Sequence, residues 1–201
     1  MLTDHLKKYH IILASQSPRR QQMLKEMGIS FEIRVKEYPE IYPPGLDGRR
    51  IAEFLAREKA LMLRNEISDN EIVITADTIV WCNNEVLGKP ADANDARRMI
   101  RALSGNIHEV ITGVTLLSAK REHTFSESTE VSFETLTDEE INFYIAEYKP
   151  YDKAGAYGIQ EWIGIAACNR INGSYFNVVG LPVHRLYREL ENFIIGMDDG
   201  Y

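Results

Sequence analysis

The segment EIVITADTIVW, residues 71–81, constrains the fold more than any other part of the sequence. It is an almost continuous run of β-branched and other apolar side chains. Such a run is typical of a strand that is covered on both faces, because a half-exposed strand would alternate with polar residues. A sheet buried in this way needs helices on either side. The sequence therefore predicts an α/β protein with a central sheet flanked by helices.

Capping residues mark the ends of the helices. Ser17 and Pro18 are suited to open a helix that Gly28 ends, and Thr137 and Glu140 form a capping box. The predicted helices cover residues 17–28, 49–64, 92–105 and 137–148 and a segment after Pro182. The predicted strands cover residues 10–15, 71–81, 108–118 and 129–136. Two further strands are predicted to meet at Asn172 and Gly173.

The composition is that of an ordinary globular protein. The chain has 201 residues, of which 44% are hydrophobic and 26% charged, and without repeats or linkers we expect one domain over residues 1–201. No window approaches the roughly 18 apolar residues of a membrane span, and no signal-peptide core is present, so we expect a cytoplasmic protein with no membrane partner. A net charge of −7 argues against broad nucleic-acid binding. Cys82 and Cys168 lie in no metal-binding spacing, so we expect two reduced thiols.

The stretch LASQSPRR, residues 13–20, places polar and basic residues directly behind an apolar run. If a helix begins at Ser17, its first N–H groups have no helical partners and the positive end of its dipole lies there. The guanidinium groups of Arg19 and Arg20 add donors that suit phosphate oxygens. The alternative is a capped helix with solvated arginines. Because basic side chains destabilise a helix N-terminus, we favour a phosphate site.

Asp77 and Thr78 interrupt the apolar run in which they lie. An unpaired buried charge would cost several kcal/mol, so Asp77 needs a partner or a function. One alternative is a structural carboxylate that pairs with an arginine or caps a turn. The other is a functional carboxylate beside the phosphate site, where it could hold a divalent cation or accept a proton from water.

Further polar segments are less specific. Lys59 and Lys89 are unremarkable alone, since most lysines are solvated. The small residues of DKAGAYGIQ, residues 152–160, allow a ligand to approach the backbone, with Lys153 and Gln160 as polar contacts; the alternative is a tight loop. The sequence has no GxxxxGK[ST], GxGxxG, HExxH or GxSxG motif, which disfavours P-loop NTPases, Rossmann dehydrogenases, zincins and hydrolases with a nucleophile elbow.

Several of these segments resemble, in order along the chain, motifs of the Maf family of nucleoside triphosphate pyrophosphatases: LASQSPRRQQML, LAREKA, TADTIV, LGKP, LSG, YDKAGAYGIQ and INGSYFNVVGLP. The resemblance runs from about residue 11 to about residue 190. It implies a Maf/Ham1-like fold, with a mixed sheet in two lobes around a nucleotide cleft, and a homodimer. The implied reaction cleaves a nucleoside triphosphate between its α and β phosphates, with water as nucleophile and Mg²⁺ or Mn²⁺ as cofactor, and gives the monophosphate and pyrophosphate.

The resemblance also implies roles for individual residues. Asp77 falls on the family's general base, and Glu40 and Asp77 are the metal-ligand candidates. The predicted phosphate-binding residues are Ser15, Ser17, Arg19, Arg20, Lys59 and Lys89. A carboxylate bound to a metal is a weak base, so two mechanisms stay open. Either the metal activates the water and Asp77 orients it, or Asp77 lies off the metal and takes the proton itself.

Three positions distinguish branches of the family. The branch that acts on dTTP and UTP carries Arg, Thr and Gln, where this chain has Arg19, Thr78 and Gln160. The 7-methyl-GTP branch carries a bulky aromatic residue, Gln and Glu instead. Uracil and thymine present an acceptor, a donor and an acceptor, and a Gln amide supplies both donor and acceptor, whereas Glu supplies acceptors only. We therefore predict dTTP, UTP or modified pyrimidine nucleotides as substrates.

Two places depart from the family pattern. Thr75 stands where glycine is usual, and Glu161 and Trp162 follow Gln160 where glycine is usual, which predicts a stiffer or differently shaped loop on the base side. Two other functions stay open: a non-catalytic nucleotide-binding regulator of cell division, and a phosphatase that releases orthophosphate. A pure binder gains nothing from a carboxylate facing a triphosphate, so Asp77 favours an enzyme.

Overall fold

The computed structural model describes residues 2–198 and places seven strands of this range in one mixed sheet. The strands are β1 (His10–Leu13), β2 (Glu32–Ile33), β3 (Glu71–Cys82), β4 (Glu85–Leu87), β5 (Ile107–Leu117), β6 (Glu122–Phe133) and β7 (Cys168–Asn172). Their order is β2-β1-β3-β5-β6-β7, and β4 pairs with β3. β1 is parallel to both of its neighbours, whereas the β3–β4 and β6–β7 pairs are antiparallel.

Helices flank this sheet, so the predicted α/β class with a mixed central sheet is confirmed. The helices are α1 (Leu2–His5), α2 (Pro18–Glu26), α3 (Gly48–Leu61), α4 (Ala93–Leu103), α5 (Asp138–Tyr148), α6 (Trp162–Ala166), α7 (Tyr175–Val179) and α8 (Val183–Asp198). Among residues 2–198, none of the helices combines the length and the apolar character that a bilayer crossing requires.

The capping predictions are confirmed. The side chain of Ser17 caps α2, Pro18 is its first residue, and Gly28 follows its end with a positive φ of 75°. At the start of α5, the Thr137 hydroxyl accepts the Glu140 N–H and the Glu140 carboxylate accepts the Thr137 N–H, which completes the capping box. These devices depend on residues within one turn of each other, which is why the sequence alone predicts them.

The prediction of two strands meeting at Asn172 and Gly173 is wrong. β7 ends at Asn172, but the next element is the short helix α7. The Asn177 amide in α7 is fully buried and donates to the Val110 carbonyl at 2.9 Å and to the Thr129 hydroxyl at 3.0 Å. These contacts come from residues far away in the sequence, so a local turn signal could not reveal them.

The chain divides into two compact units. The first comprises the residues up to Asp77, residues 112–127 and the residues from Gly180 onward; the second comprises Thr78–Ile111 and Ser128–Val179. Each of β3, β5 and β6 contributes residues to both units. The single domain and the nucleotide cleft stay predictions.

In the first unit, α3 packs closely on the sheet. Buried residues of three strands, Ile12, Val73 and Leu117, cluster with Ala60 and Leu63 at the end of this helix. Gly113 of β5 meets the helix backbone, and a Cβ atom there would lie 2.1 Å from the Ala52 carbonyl oxygen. The absence of a side chain at Gly113 therefore sets the distance between β5 and α3.

In the second unit, the core contains a buried histidine. His108 of β5 is 2% exposed, and its Nε2 atom lies 2.8 Å from the Tyr157 hydroxyl oxygen. Its ring packs nearly perpendicular to the rings of Phe133 and Tyr157, with centroid distances of 5.1 Å and 5.4 Å. Its Nδ1 atom has no hydrogen-bond partner among the described residues. Burial lowers the pKa of His108 from 6.5 to about 4.

We expect acid to destabilise the protein through His108. The pKa is lower in the folded state than in the unfolded state, so the free energy of unfolding is highest above pH 6.5 and falls as the pH drops towards 4. The full loss corresponds to about 3 kcal/mol. Urea titrations across this range should show a weaker pH dependence for His108→Gln than for the wild type. His184→Gln makes the same change at an exposed site and is the control. Equal pH dependence of His108→Gln and the wild type would contradict the prediction.

Candidate active site

The candidate site begins where β1 leads into α2. The Ser17 hydroxyl accepts the Arg20 N–H at 3.5 Å, and the Ser15 hydroxyl accepts the Ser17 N–H at 3.2 Å. Ser15 is buried and Arg19 is half-buried. The local sequence thus builds a capped helix start that carries two arginines, as predicted.

Arg20 bonds to the protein itself. Its Nε atom donates to the Gly180 carbonyl at 2.8 Å, and Nη1 donates to the Ala76 carbonyl at 2.8 Å and to the Ser15 hydroxyl at 3.4 Å. Burial lowers the pKa of the Arg20 guanidinium from its ordinary value, and the charge of Asp77 partly opposes this shift. Whereas we predicted these nitrogens as phosphate donors, two of them already tie the start of α2 to the strand that carries Asp77.

Asp77 lies at 5% exposure and pairs with Lys59 of α3. The same Lys59 ammonium lies 3.3 Å from Oε1 of Glu40, so it bridges two carboxylates. The structural alternative for Asp77 named an arginine or a turn as its partner. The actual partner is a lysine, and all three residues of this cluster are predicted site residues.

Glu40 and Asp77 are carboxylates of the kind that can hold a divalent metal ion. Among residues 2–198, no group of three or more His, Cys, Asp and Glu side chains could hold a metal ion by itself. Mg²⁺ is commonly held by only one or two carboxylates, with substrate phosphates and waters as its other ligands. Because the Lys59 ammonium lies between the two carboxylates, a positive charge is stable at this place.

Two contacts hold α3, and with it Lys59, on the sheet. The Thr75 hydroxyl of β3 donates to the Ala56 carbonyl of α3 at 2.6 Å, less than one turn before Lys59. The close approach of Gly113 to Ala52 fixes the helix one turn earlier. Thr75 was expected to alter a loop on the base side, and this is wrong. It lies inside a buried strand and acts on the helix that carries the lysine.

The remaining predicted residues lie in the second unit. Gly155 in the glycine-containing segment donates its N–H to the Gly88 carbonyl at 3.0 Å, which joins this segment to the residue before Lys89. A Cβ atom at Gly155 would lie 2.8 Å from Val80, so only glycine fits. Ala156 has a positive φ of 57°, a conformation that costs an alanine energy and is frequent at functional sites. The motifs LGKP and DKAGAYGIQ are therefore in direct contact.

The predicted residues are thus placed in two sets. Gln160 and Lys89 are exposed, and Thr78 is half-buried in β3 directly after Asp77. The first unit holds Ser15, Ser17, Arg19, Arg20, Glu40, Lys59 and Asp77, and the second holds Thr78, Lys89 and Gln160.

Sequence reasoning missed the role of Tyr144 and Glu161. Lys153, predicted as a ligand contact, pairs with Asp152 at 2.7 Å and with Glu161 at 3.2 Å. Glu161 in turn accepts a hydrogen bond from the buried Tyr144 hydroxyl. The only signal in the sequence was the departure at Glu161 from the glycine that is usual in the family.

Comparison with known proteins identifies the family of the chain. Residues 10–193 match the family described as Maf-like protein. The chain belongs to the Maf family. A relative named dTTP/UTP pyrophosphatase from Flavobacterium johnsoniae is 50% identical over 194 residues, which cover 96% of this chain and 100% of that protein. Proteins of the same name from Parabacteroides distasonis and Phocaeicola vulgatus are 49% and 51% identical, and cover 96% and 94% of this chain and 100% and 99% of their own lengths.

A solved structure outside these relatives is a distant match. It is a nucleoside-triphosphatase, or dITP/XTP pyrophosphatase, from Mycobacterium abscessus. It aligns with a TM-score of 0.45 and 12% identity over 94% of this chain and 96% of that chain.

Proposed function

We propose that this Maf-family chain hydrolyses dTTP and UTP, or modified pyrimidine nucleoside triphosphates, to the monophosphate and pyrophosphate. The observation that carries the proposal is the buried Asp77 carboxylate, which is paired with Lys59 in the same unit as the capped start of α2. The names of relatives at about 50% identity support the choice of substrate.

The proposed mechanism uses the charges of the first unit. The N-terminus of α2 and Arg19 bind phosphate oxygens, since the positive end of the helix dipole and a guanidinium both favour an anion. Arg20 holds this helix start in place and adds positive charge behind it. Asp77 orients the attacking water or takes its proton. Lys59 compensates the charge of Asp77 before the triphosphate binds, and its ammonium can then donate to a phosphate oxygen.

A divalent metal is part of the proposal. Glu40 and Asp77 would hold Mg²⁺ or Mn²⁺ together with the substrate phosphates. When bound, the metal would neutralise charge on the phosphates and lower the pKa of a bound water.

For base selection, we propose the roles that the family resemblance assigns to Arg19, Thr78 and Gln160. Gln160 is exposed at a turn, so its amide is accessible to a ligand. A polar group that a bound base covers without offering it a matching partner costs about 1–3 kcal/mol, which is enough for a clear preference. Lys89 is proposed as a further phosphate contact. The homodimer and the cytoplasmic location remain proposals that depend on the resemblance and on the composition.

A panel of nucleoside triphosphates tests the proposed function. With Mg²⁺ or Mn²⁺ present, we expect pyrophosphate and the monophosphate from dTTP and UTP, at rates well above those for ATP, GTP and CTP. Faster turnover of purine nucleotides would overturn the predicted specificity. Release of orthophosphate alone would identify a phosphatase instead, and tight nucleotide binding without any product would identify a regulator.

A further inference from the structure

We propose that Tyr144 and Glu161 are positioning residues that fix the turn carrying Gln160, and that this turn must be fixed for the protein to prefer uracil over cytosine. The proposal deepens the proposed function and rests on it, because it assumes that Gln160 contacts the base. It concerns a contact network that lies wholly inside the second unit.

A single hydroxyl group binds both ends of the turn. The Glu161 N–H donates to the Gly158 carbonyl at 3.0 Å, which closes a four-residue turn with Gln160 as its third residue. The Tyr144 hydroxyl accepts the Gly158 N–H at 3.0 Å and donates its own proton to the Glu161 carboxylate. The turn is therefore closed twice, once by its backbone and once through Tyr144.

The network is buried at Tyr144 and Gly158, partly exposed at Glu161 and exposed at Gln160. Burial, followed by the bond to Glu161, raises the pKa of the Tyr144 hydroxyl, so this hydroxyl stays protonated and keeps its donor role. The Lys153 ammonium lies 3.2 Å from the Glu161 carboxylate and compensates its charge.

Glycines let the backbone of the turn pack against its neighbours. A Cβ atom at Gly158 would lie 2.8 Å from the Glu161 carboxyl carbon, and one at Gly164 of α6 would lie 1.8 Å from the Ile159 carbonyl oxygen. The backbone of the turn therefore packs against the Glu161 carboxyl group at Gly158 and against Gly164 of α6 at Ile159. A glycine at position 161 would have no carboxylate, so this closure depends on the residue by which the chain departs from the family pattern.

A fixed turn matters because a Gln amide is not selective by itself. The pairing edge of uracil presents a carbonyl oxygen next to an N–H group, whereas that of cytosine presents an amino group next to a ring nitrogen acceptor. An amide that is free to move can serve either base by exchanging its oxygen and its NH₂ group. A backbone held in one place leaves the amide free to rotate about its last side-chain bond, but it fixes the distance and the direction from which the amide approaches the base. Selectivity follows where that approach fits the pairing edge of one base better than that of the other.

The test compares kcat/KM for UTP with that for CTP in Tyr144→Phe and Glu161→Ala. Both changes remove the hydrogen bond between the Tyr144 hydroxyl and the Glu161 carboxylate, so the turn is closed only by its backbone hydrogen bond. We expect each change to lower the UTP/CTP ratio about tenfold. Glu161→Gln keeps an acceptor for the Tyr144 hydroxyl and should restore most of the ratio. Tyr148→Phe and Glu147→Gln are matched controls, since both side chains are exposed on the same helix.

Amide hydrogen exchange gives a readout that is independent of activity. The Gly158 N–H should exchange faster in Tyr144→Phe than in the wild type, because the hydroxyl that accepts it is gone. If Tyr144→Phe does not fold, Glu161→Ala decides, as its side chain is partly exposed. Unchanged exchange and an unchanged UTP/CTP ratio in the folded variants would overturn the proposal.

Gln160→Ala separates this proposal from the proposed function. If Gln160→Ala lowers the ratio but neither Tyr144→Phe nor Glu161→Ala does, the positioning role is wrong and the function stands. If Gln160→Ala leaves the ratio unchanged, Gln160 does not select the base, and both its assigned role and the positioning role are wrong. In the double variant Gln160→Ala/Glu161→Ala, we expect no further loss beyond that of Gln160→Ala; a full additional loss would show that Glu161 acts by another route.

Discussion

Asp77→Asn should lower the rate of pyrophosphate release about 1,000-fold and leave the protein folded. Asparagine has nearly the same volume as aspartate, and its amide oxygen can still accept a hydrogen bond from Lys59. It cannot take a proton from water, and it binds a divalent cation poorly. Both mechanisms that are open for Asp77 therefore predict the same loss. The measurement is pyrophosphate release from UTP, with thermal unfolding to verify the fold.

Asp69→Asn is the matched control for this experiment. Asp69 is an exposed carboxylate in the same unit, just before β3, and its change to asparagine should leave the rate unaltered. An Asp77→Asn variant with more than a tenth of the wild-type rate would contradict the role of Asp77. If the acidic limb of the wild-type pH–rate profile differs between Mg²⁺ and Mn²⁺, the metal activates the water and Asp77 orients it.

Gly113→Ala should lower the free energy of unfolding by about 3 kcal/mol. The added Cβ atom would lie 2.1 Å from the Ala52 carbonyl oxygen and 2.7 Å from the Glu53 nitrogen. Both are backbone atoms of α3, so the helix itself must move away from β5. A moved helix would also lengthen the bond between Thr75 and Ala56, and it would displace Lys59 from Asp77. We therefore expect the rate of hydrolysis to fall together with the stability.

Gly88→Ala is the control for the glycine experiment. A Cβ atom at Gly88 would have no other atom within 4 Å, so the same change of residue should cost little stability. Urea unfolding of both variants gives the comparison. If Gly113→Ala unfolds at the wild-type urea concentration, the packing of α3 on β5 is looser than the described distances imply.

The sequence predicted the features that are local. Ser17, Thr137 and Glu140 bond to backbone atoms three residues away, and these short-range contacts decide where a helix begins whatever the rest of the chain does. The burial of Asp77 was predicted for a similar reason, because the apolar residues on both sides of it force the whole strand into the core.

Contacts between residues that are far apart in the sequence were not predicted. Lys59 is 18 residues from Asp77, and nothing in its own surroundings marks it as the partner; only the family resemblance drew attention to it. Tyr144 and Glu161 are 17 residues apart and meet only because α5 packs beside the turn. Arg20 was predicted as a phosphate contact, and nothing near it in the sequence indicated that two of its nitrogens donate to backbone carbonyls 56 and 160 residues away.

The bond from Arg20 to Gly180 has a consequence for the order of events during synthesis. The first unit needs residues from Gly180 onward, and these leave the ribosome after all seven strands β1–β7. Until they emerge, the nascent chain contains Arg19 and Arg20 but lacks the Gly180 carbonyl to which Arg20 donates. A chain that stops before residue 180 should therefore release no pyrophosphate, even though Asp77, Lys59 and Glu40 have all been made.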